Sequence, residues 1–336
     1  MQMTDRVKSI LGSILKFLLA GGLIGWLVAT DRLDLHAASA LFRSPLVFLG
    51  FLLIGLNLWL VSERWRILVT PQNVPAGPLE VFRLTLIGVF FNYAMPGGVG
   101  GDVVKAYYFG KDHPQARAAA ITSVILDRAL GLYAMILMAL LAMTYDYRHV
   151  LEQSTLRTLY FLLVLLGAGV SLFFLSIFSR RFKKTGFLER LLGGLPLSAK
   201  LLKLYETAHR FGLRRQRVIS TLVLSFLSQS FAVIFLWVAA QAAGFDDVSL
   251  KTFFLVAPLG YMATAIPISP AGLGVGQAAF LVLFNLYLGR ESDIGAIVIT
   301  TQQVMTAIFG AIGALLYVQR KDRTSLATIE STVEEQ

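Results

Sequence analysis

The chain has 336 residues, of which 56% are apolar and only 15% are charged; its formal net charge is +10 and its mean hydropathy is +0.69. An average soluble domain has roughly 25% charged residues, so this composition excludes an ordinary water-soluble protein and indicates segments that span a bilayer. The chain contains no cysteine, which excludes a disulfide framework and a thiolate metal site.

Apolar runs long enough to cross a bilayer occur six times along the chain. They cover residues 10–30, 45–62, 117–142, 158–178, 217–241 and 294–318. The first run is predicted to be a span and not a cleaved signal peptide, because it is longer than the apolar region of an ordinary signal. Two further apolar regions, 81–95 and 252–289, are shorter or interrupted.

Each interrupted region is followed by or contains a short segment rich in proline and glycine. When the numbering is shifted by one constant value, the segment Pro96-Gly97-Gly98-Val99-Gly100 aligns with Pro270-Ala271-Gly272-Leu273-Gly274. Proline removes a backbone donor and glycine permits positive φ, so neither segment is a continuous helix. Helices are expected to resume near Asp102 and near Val275, where their free N–H groups favour an anion such as phosphate. A loop that only packs two helix bundles together is the structural alternative.

Lysine and arginine in short connections predict the orientation of the chain. Residues 180–217 contain eleven Lys/Arg and two acidic residues, which predicts a cytoplasmic linker beside anionic lipid. Apolar residues at helical spacing from Leu197 to Phe211 predict an amphipathic helix on the membrane surface within it. Counting spans from this linker predicts that both termini lie in the cytoplasm. It also predicts that each interrupted region enters and leaves the membrane on the same side, one region on the cytoplasmic side and the other on the outside.

The predicted fold is therefore an all-α polytopic integral membrane protein with about six full spans and two re-entrant broken-helix hairpins in an inverted repeat. This arrangement is typical of transporters whose broken helices meet near the midplane. A single transmembrane domain covers 1–320, with repeat one at about 45–142, repeat two at about 217–318 and the basic linker at 180–216. A short cytoplasmic tail covers 321–336.

Asp127 and Arg128 lie in the middle of an apolar run, where charged side chains are costly and usually face a bundle interior or a cavity. Adjacent helical residues point about 100° apart, so we expect Asp127 to pair with Arg83 or Lys105 and Arg128 to bind an anionic headgroup. A structural salt bridge between helices is the alternative. Asp102 is expected either to cap its helix or to bind a cation or a headgroup amine.

The candidate substrate-binding residues are the polar, proline and glycine residues of the two breaks and of this charged pair. They are Asn92, Pro96, Gly97, Gly98, Gly100, Gly101, Asp102, Lys105, Asp127, Arg128, Ser269, Pro270, Gly272, Gly274 and Gln277. No catalytic residue, metal site or cofactor is predicted.

Four motifs, in this order and spacing, resemble a known family. They are Arg64-Trp65-Arg66, the segment from Pro96 to Lys105, Asp127-Arg128-Ala129-Leu130-Gly131, and Ser269-Pro270-Ala271-Gly272-Leu273-Gly274-Val275. The chain resembles the transmembrane region of lysylphosphatidylglycerol synthases, a flippase-like family that also has stand-alone members. It departs from the family at Ala271, where glycine is frequent, and at Gly276-Gln277, where an Arg-Glu pair is frequent. Only the short tail 321–336 follows the transmembrane domain, so the resemblance implies a stand-alone member without the soluble synthase domain.

The resemblance implies a transporter that moves a phospholipid or a lipid-linked anionic headgroup between the leaflets of a prokaryotic plasma (inner) membrane, and not an enzyme. The expected partners are anionic or phosphate-bearing membrane lipids, with a homo-oligomer or a partner enzyme also possible, and no nucleic acid. One alternative is an intramembrane transferase on a lipid-linked substrate, for which Asp102 and Asp127 are the deep acids. Another is a membrane scaffold that recruits a partner enzyme through residues 180–217.

Overall fold

The computed structural model describes residues 35–70, 76–95, 100–180, 183, 198–266 and 270–320. Every regular element in these ranges is a helix, and six stretches are long and apolar enough to cross a membrane. The predicted all-α, multi-pass membrane fold is therefore confirmed.

Within the described ranges the chain forms twelve α-helices, numbered here in chain order. Two 3-10 turns, Pro114–Ala116 and Pro270–Gly272, precede α5 and α11. The helices are α1 Leu35–Arg43, α2 Leu46–Val69, α3 Pro78–Ala94, α4 Gly100–Asp112, α5 Arg117–Tyr145, α6 Tyr147–Glu152, α7 Ser154–Phe178, α8 Ser198–Gly212, α9 Arg215–Ala242, α10 Leu250–Thr264, α11 Val275–Leu288 and α12 Ile294–Gln319.

Five of the six predicted spans coincide with α2, α5, α7, α9 and α12, whereas the run at 10–30 lies outside the described residues. The sixth stretch of spanning length is Pro270–Leu288, which joins a 3-10 turn to α11. The sequence placed it inside an interrupted region. Helix α11 itself has 14 residues, a rise of about 21 Å, which is short of the roughly 30 Å hydrocarbon core.

The two helix breaks, one after α3 and one after α10, lie where proline and glycine in the sequence predicted them. Helix α3 ends at Ala94 and α4 begins at Gly100, while Pro96 to Val99 lie outside the described residues. A Cβ added to Gly101 would lie 1.9 Å from the carbonyl oxygen of Gly88. Only glycine therefore permits α3 and α4 to pack this closely after the break.

At the second break, α10 ends at Thr264 and α11 begins at Val275. Gly272 and Gly274 have φ of 71° and 80°, and the non-glycine Ala271 also has a positive φ of 48°. This left-handed backbone prevents one helix from continuing into the next. Helices thus resume beside Asp102 and at Val275, as the sequence predicts.

The numbering shift that places Pro96 on Pro270 relates whole helices as well as the two breaks. Under this shift α2 corresponds to residues 220–243, close to the bounds of α9, Arg215–Ala242. Helix α3 corresponds to residues 252–268, close to the bounds of α10, Leu250–Thr264. Helices α4 and α5 likewise cover 274–286 and 291–319, close to the bounds of α11 and α12.

The packing of these eight helices follows the same correspondence. Helix α2 packs against its own counterpart α9. Helix α3 packs against α12, and the corresponding pair, α10 and α5, is also packed together. The 3-10 turn of the second break, Pro270–Gly272, also contacts α3.

Helices α7 and α8 lie at the side of this eight-helix body. Helix α7 is the most hydrophobic of the six spanning stretches and exposes Leu162, Leu165 and Leu175, as expected of a lipid-facing helix. The amphipathic helix predicted in the linker is observed as α8, but Tyr205 and Phe211 are buried in a cluster with α7 residues. Tyr205, Ala208 and Phe211 of its apolar face therefore pack on protein, and its position on the membrane surface stays a prediction.

Candidate functional site

A cavity of about 600 Å³ is lined by residues that flank the first helix break and by residues of the second. Gly101 and Asp102 of α4 line it on one side, and Ala271 and Gly272 of the second break line it on the other. Helices α2, α3, α5, α9, α10 and α12 complete its walls. The cavity thus joins two segments that are far apart in the sequence.

A buried ion pair between α2 and α5 forms one part of the cavity wall. The guanidinium of Arg64 donates from Nε to Asp127 Oδ1 at 2.8 Å and from Nη2 to Asp127 Oδ2 at 3.0 Å. Its Nη1 also donates to Ser225 Oγ of α9 at 3.2 Å. The two charged side chains are only 8% and 7% exposed, so each depends on the other for compensation of its charge.

A second carboxylate, Asp102, lies between two cations. Lys105 Nζ is 2.7 Å from Asp102 Oδ1, and Arg128 Nε donates to Asp102 Oδ2 at 2.5 Å. Lys105 Nζ also approaches Asp127 Oδ2 at 3.9 Å and lies 4.9 Å from the ring centre of Trp65. Lys105 therefore connects the two ion pairs into one network.

This network contains three cations and two carboxylates, which gives a net charge of +1. Lys105 is 6% exposed, whereas the Arg128 side chain is 38% exposed and lines the cavity. Charges in such a poorly solvated site interact more strongly than in water. The network therefore favours an anion in the cavity, and Arg128 is its most accessible cation.

Neutral polar groups surround the second break. Gln277 accepts a hydrogen bond from the N–H of Gly274 at 2.8 Å and donates to Gln303 Oε1 at 2.7 Å and Thr300 Oγ1 at 3.1 Å. Gln303 lines the cavity, but Gln277 does not. Gln277 thus links the start of α11 to α12 from behind the cavity wall.

The structure brings seven of the predicted residues into the cavity wall. Those that line the cavity are Asn92, Gly101, Asp102, Lys105, Asp127, Arg128 and Gly272. Gly100, Pro270, Gly274 and Gln277 belong to the breaks or helix starts without lining it. Pro96, Gly97, Gly98 and Ser269 lie outside the described residues.

The partners predicted for Asp127 were only partly right. Asp127 pairs with Arg64 and only weakly with Lys105, while Arg83 is exposed on α3 and does not line the cavity. Asp102 is held by Lys105 and Arg128 of the same chain, and its role in capping its helix or in binding a cation or a headgroup amine stays a prediction.

Several cavity residues were absent from the candidate set. Arg64 lies at the charged end of its apolar run, where an arginine normally reaches the interface, so its position did not indicate the cavity. Its place in the Arg64-Trp65-Arg66 motif was the available signal. Asn57, Tyr261, Gln302 and Gln303 are neutral residues of apolar runs. Their polarity at mid-span was the available signal.

The comparison with family models matches residues 13–314 to the lysylphosphatidylglycerol synthase TM region. A UPF0104 membrane protein of Methanothermobacter thermautotrophicus is 24% identical over 291 residues, covering 81% of this chain and 83% of that protein. A second UPF0104 membrane protein, from Methanocaldococcus jannaschii, is 21% identical over 300 residues, covering 82% and 86%. No solved structure matches the chain. The matched region includes both breaks and all five charged residues of the cavity, so the chain belongs to the lysylphosphatidylglycerol synthase TM region family.

Proposed function

We propose that this protein moves a phospholipid, or another lipid with an anionic headgroup, between the two leaflets of the membrane. The observation that carries this proposal is the cavity of about 600 Å³ that is lined by residues beside the first helix break and by residues of the second, and that contains a network of net charge +1. A phosphate-bearing headgroup is an anion of suitable size for such a cavity.

The charged network supports binding of phosphate. Arg128 and Lys105 already hold an anionic group, the carboxylate of Asp102. A headgroup phosphate that reached Arg128 would compete with Asp102 for the guanidinium, whose planar donors suit phosphate oxygens. This exchange gives binding without leaving a buried cation uncompensated.

Apolar residues at the edge of the cavity support a lipid as the substrate. Leu132 of α5 and Ile266 after α10 line the cavity and are also exposed, at 40% and 54%. The cavity therefore has apolar edges on the outside of the protein. A headgroup inside it and acyl or prenyl tails along these edges would keep each part of a lipid in the environment it prefers.

The helix lengths support a mechanism of alternating access. Helices α3, α4, α10 and α11 have 17, 13, 15 and 14 residues, so each rises less than the roughly 30 Å needed to cross the hydrocarbon core. In the proposed topology α3–α4 and α10–α11 are the two re-entrant hairpins, and rocking of one repeat against the other opens the cavity to each leaflet in turn. The basic linker supports the proposed orientation, in which both termini lie in the cytoplasm of a plasma membrane.

A leaflet-exchange assay tests this function. The purified protein is placed in vesicles that contain phosphatidylglycerol with a fluorescent acyl chain, and exchange is followed by dithionite bleaching of the outer leaflet. Arg128→Gln is expected to slow exchange at least about tenfold, because a charge-assisted hydrogen bond contributes roughly 1.5–3 kcal/mol. Arg83→Gln removes the same charge from the exposed face of α3 and is expected to leave the rate unchanged.

Two outcomes would contradict the proposal. One is exchange in wild-type vesicles no faster than in protein-free vesicles; the other is an equal rate for both folded arginine variants. Transfer of the headgroup to another molecule by the purified protein would instead support the intramembrane transferase alternative.

A further inference from the structure

The two sides of the cavity differ in charge. All five charged side chains that line it come from α2, α4 and α5, the first set of repeated helices. The second set, α9, α10 and α12, contributes polar side chains without charge. They are Ser228, Gln229, Tyr261, Thr264, Gln302, Gln303 and Thr306.

The neutral side retains unused hydrogen-bonding groups. Gln302 accepts a hydrogen bond from the Tyr261 hydroxyl at 2.9 Å, and its amide N–H groups have no partner among the residues that the structure describes. Gln229 and Thr306, both half-buried, likewise make no side-chain hydrogen bond within the described ranges. Poorly solvated amide and hydroxyl groups gain most from a ligand that offers hydroxyls in return.

The correspondence between the two sets of helices shows this difference in charge at a single pair of positions. Under the numbering shift that places Pro96 on Pro270, Gln302 occupies the position that corresponds to Arg128, and both line the cavity. Equivalent positions therefore present a guanidinium on one side and a neutral amide on the other. One ligand that contacts both would place an anionic group at Arg128 and an uncharged polar group at Gln302.

An amine-bearing headgroup fits this cavity poorly. Asp127 is held by two donors of Arg64, and Asp102 is held by Lys105 and Arg128. Each carboxylate already has a cationic partner, and Asp102 keeps Lys105 when a phosphate takes its place at Arg128, so an ammonium group would gain little from either carboxylate. Another positive charge would also be repelled by a network of net charge +1.

We infer that the ligand is a lipid phosphate joined to an uncharged, hydroxyl-rich group, such as glycerol, inositol or a sugar, and not to an amine. Its phosphate binds beside Arg128 on the charged side, and its hydroxyls bind Gln302, Gln229 and Thr306 on the neutral side. This inference rests on the proposed lipid transport and adds the chemical class of the headgroup.

The test compares two lipids of equal net charge in the same vesicle assay. Phosphatidylglycerol has hydroxyls and no amine, whereas phosphatidylserine has an amine and the same net charge of −1. Wild-type protein is expected to exchange phosphatidylglycerol at least about tenfold faster, because a site built to hydrogen-bond a hydroxyl discriminates strongly against its absence. The additional carboxylate of phosphatidylserine favours the cationic side, which makes this a demanding comparison.

Substitutions on the neutral side test whether its residues determine the preference for phosphatidylglycerol over phosphatidylserine. Gln302→Glu introduces a carboxylate at nearly constant volume and is expected to reduce the ratio of the two rates at least about fivefold, since an ammonium now has an anionic partner. Gln241→Glu makes the same change near the end of α9, outside the cavity wall, and should leave the ratio unchanged. Thr306→Val, which removes one hydroxyl with little change of shape, should reduce the ratio even if Gln302→Glu does not fold.

The outcomes separate this inference from the proposed function. Equal exchange of the two lipids, or a ratio that neither Gln302→Glu nor Thr306→Val changes, would overturn the inference and leave lipid transport intact. No exchange of either lipid would overturn the proposed function as well. Uptake of radiolabelled glycerol 3-phosphate without lipid exchange would retain the headgroup chemistry but show that a free phosphate, not a lipid, is its source.

Discussion

The ion pair between Arg64 and Asp127 is expected to be the most important single polar contact for the stability of the cavity. Arg64→Met keeps a long apolar side chain but removes both hydrogen bonds to Asp127, which are 2.8 and 3.0 Å long. The Asp127 side chain is 7% exposed and, among the residues that the structure describes, would retain Lys105 at 3.9 Å as its cationic partner.

The expected loss follows from this geometry. Removing one partner of a buried ion pair typically costs about 3–5 kcal/mol, because the remaining charge is left uncompensated. Lys105 compensates part of it, so we expect a loss of about 3 kcal/mol in the free energy of unfolding. The neighbouring pair of Arg66 and Glu63 on α2 is 34% and 17% exposed, and Arg66→Met is expected to cost less than about 1 kcal/mol.

Unfolding in detergent micelles with increasing sodium dodecyl sulfate, followed by tryptophan fluorescence, measures these losses. Asp127→Asn and the double variant with Arg64→Met complete a double-mutant cycle. The sum of the two single losses should exceed the loss in the double variant by at least about 1 kcal/mol, as expected of residues in one network. Equal losses for Arg64→Met and Arg66→Met, or simple additivity in the cycle, would refute the assignment of Asp127 to Arg64.

Two further predictions concern the second break and the end of α5. Ala271→Gly should stabilise the protein by up to about 1 kcal/mol in thermal unfolding, since it relieves the left-handed backbone at φ 48°, whereas Ala263→Gly inside α10 should destabilise it by about 1 kcal/mol. At Asp146, partial burial raises the pKa, but hydrogen bonds from Lys251 and Tyr287 outweigh it and hold the pKa below its usual range. This carboxylate therefore stabilises the fold above about pH 4 and loses that contribution as the pH falls further; Asp146→Asn should remove that part of the acid dependence, and an unchanged acid profile would contradict it.

Hydropathy alone determined most of the helices. Long apolar runs have no stable alternative to a helix in a bilayer, because every backbone polar group must be satisfied within the segment. Proline and glycine determined the two breaks in the same local way. The predicted run at 45–62 nevertheless ended early, since α2 continues to Val69. Charged residues end an apolar run in the sequence, but paired charges such as Arg64 do not end a helix.

Only the tertiary structure decided which charges meet. The sequence offered Arg83 and Lys105 as partners for Asp127, and both lie in apolar surroundings at plausible depths. The rotation of each helix about its own axis depends on side-chain packing with its neighbours, which a single apolar run does not specify. Packing of α2 on α5 and α9 turns Arg64 towards Asp127 and Ser225, while Arg83 faces outward. The division of the cavity into a charged and a neutral side arises in the same way, because it requires both sets of helices in one place.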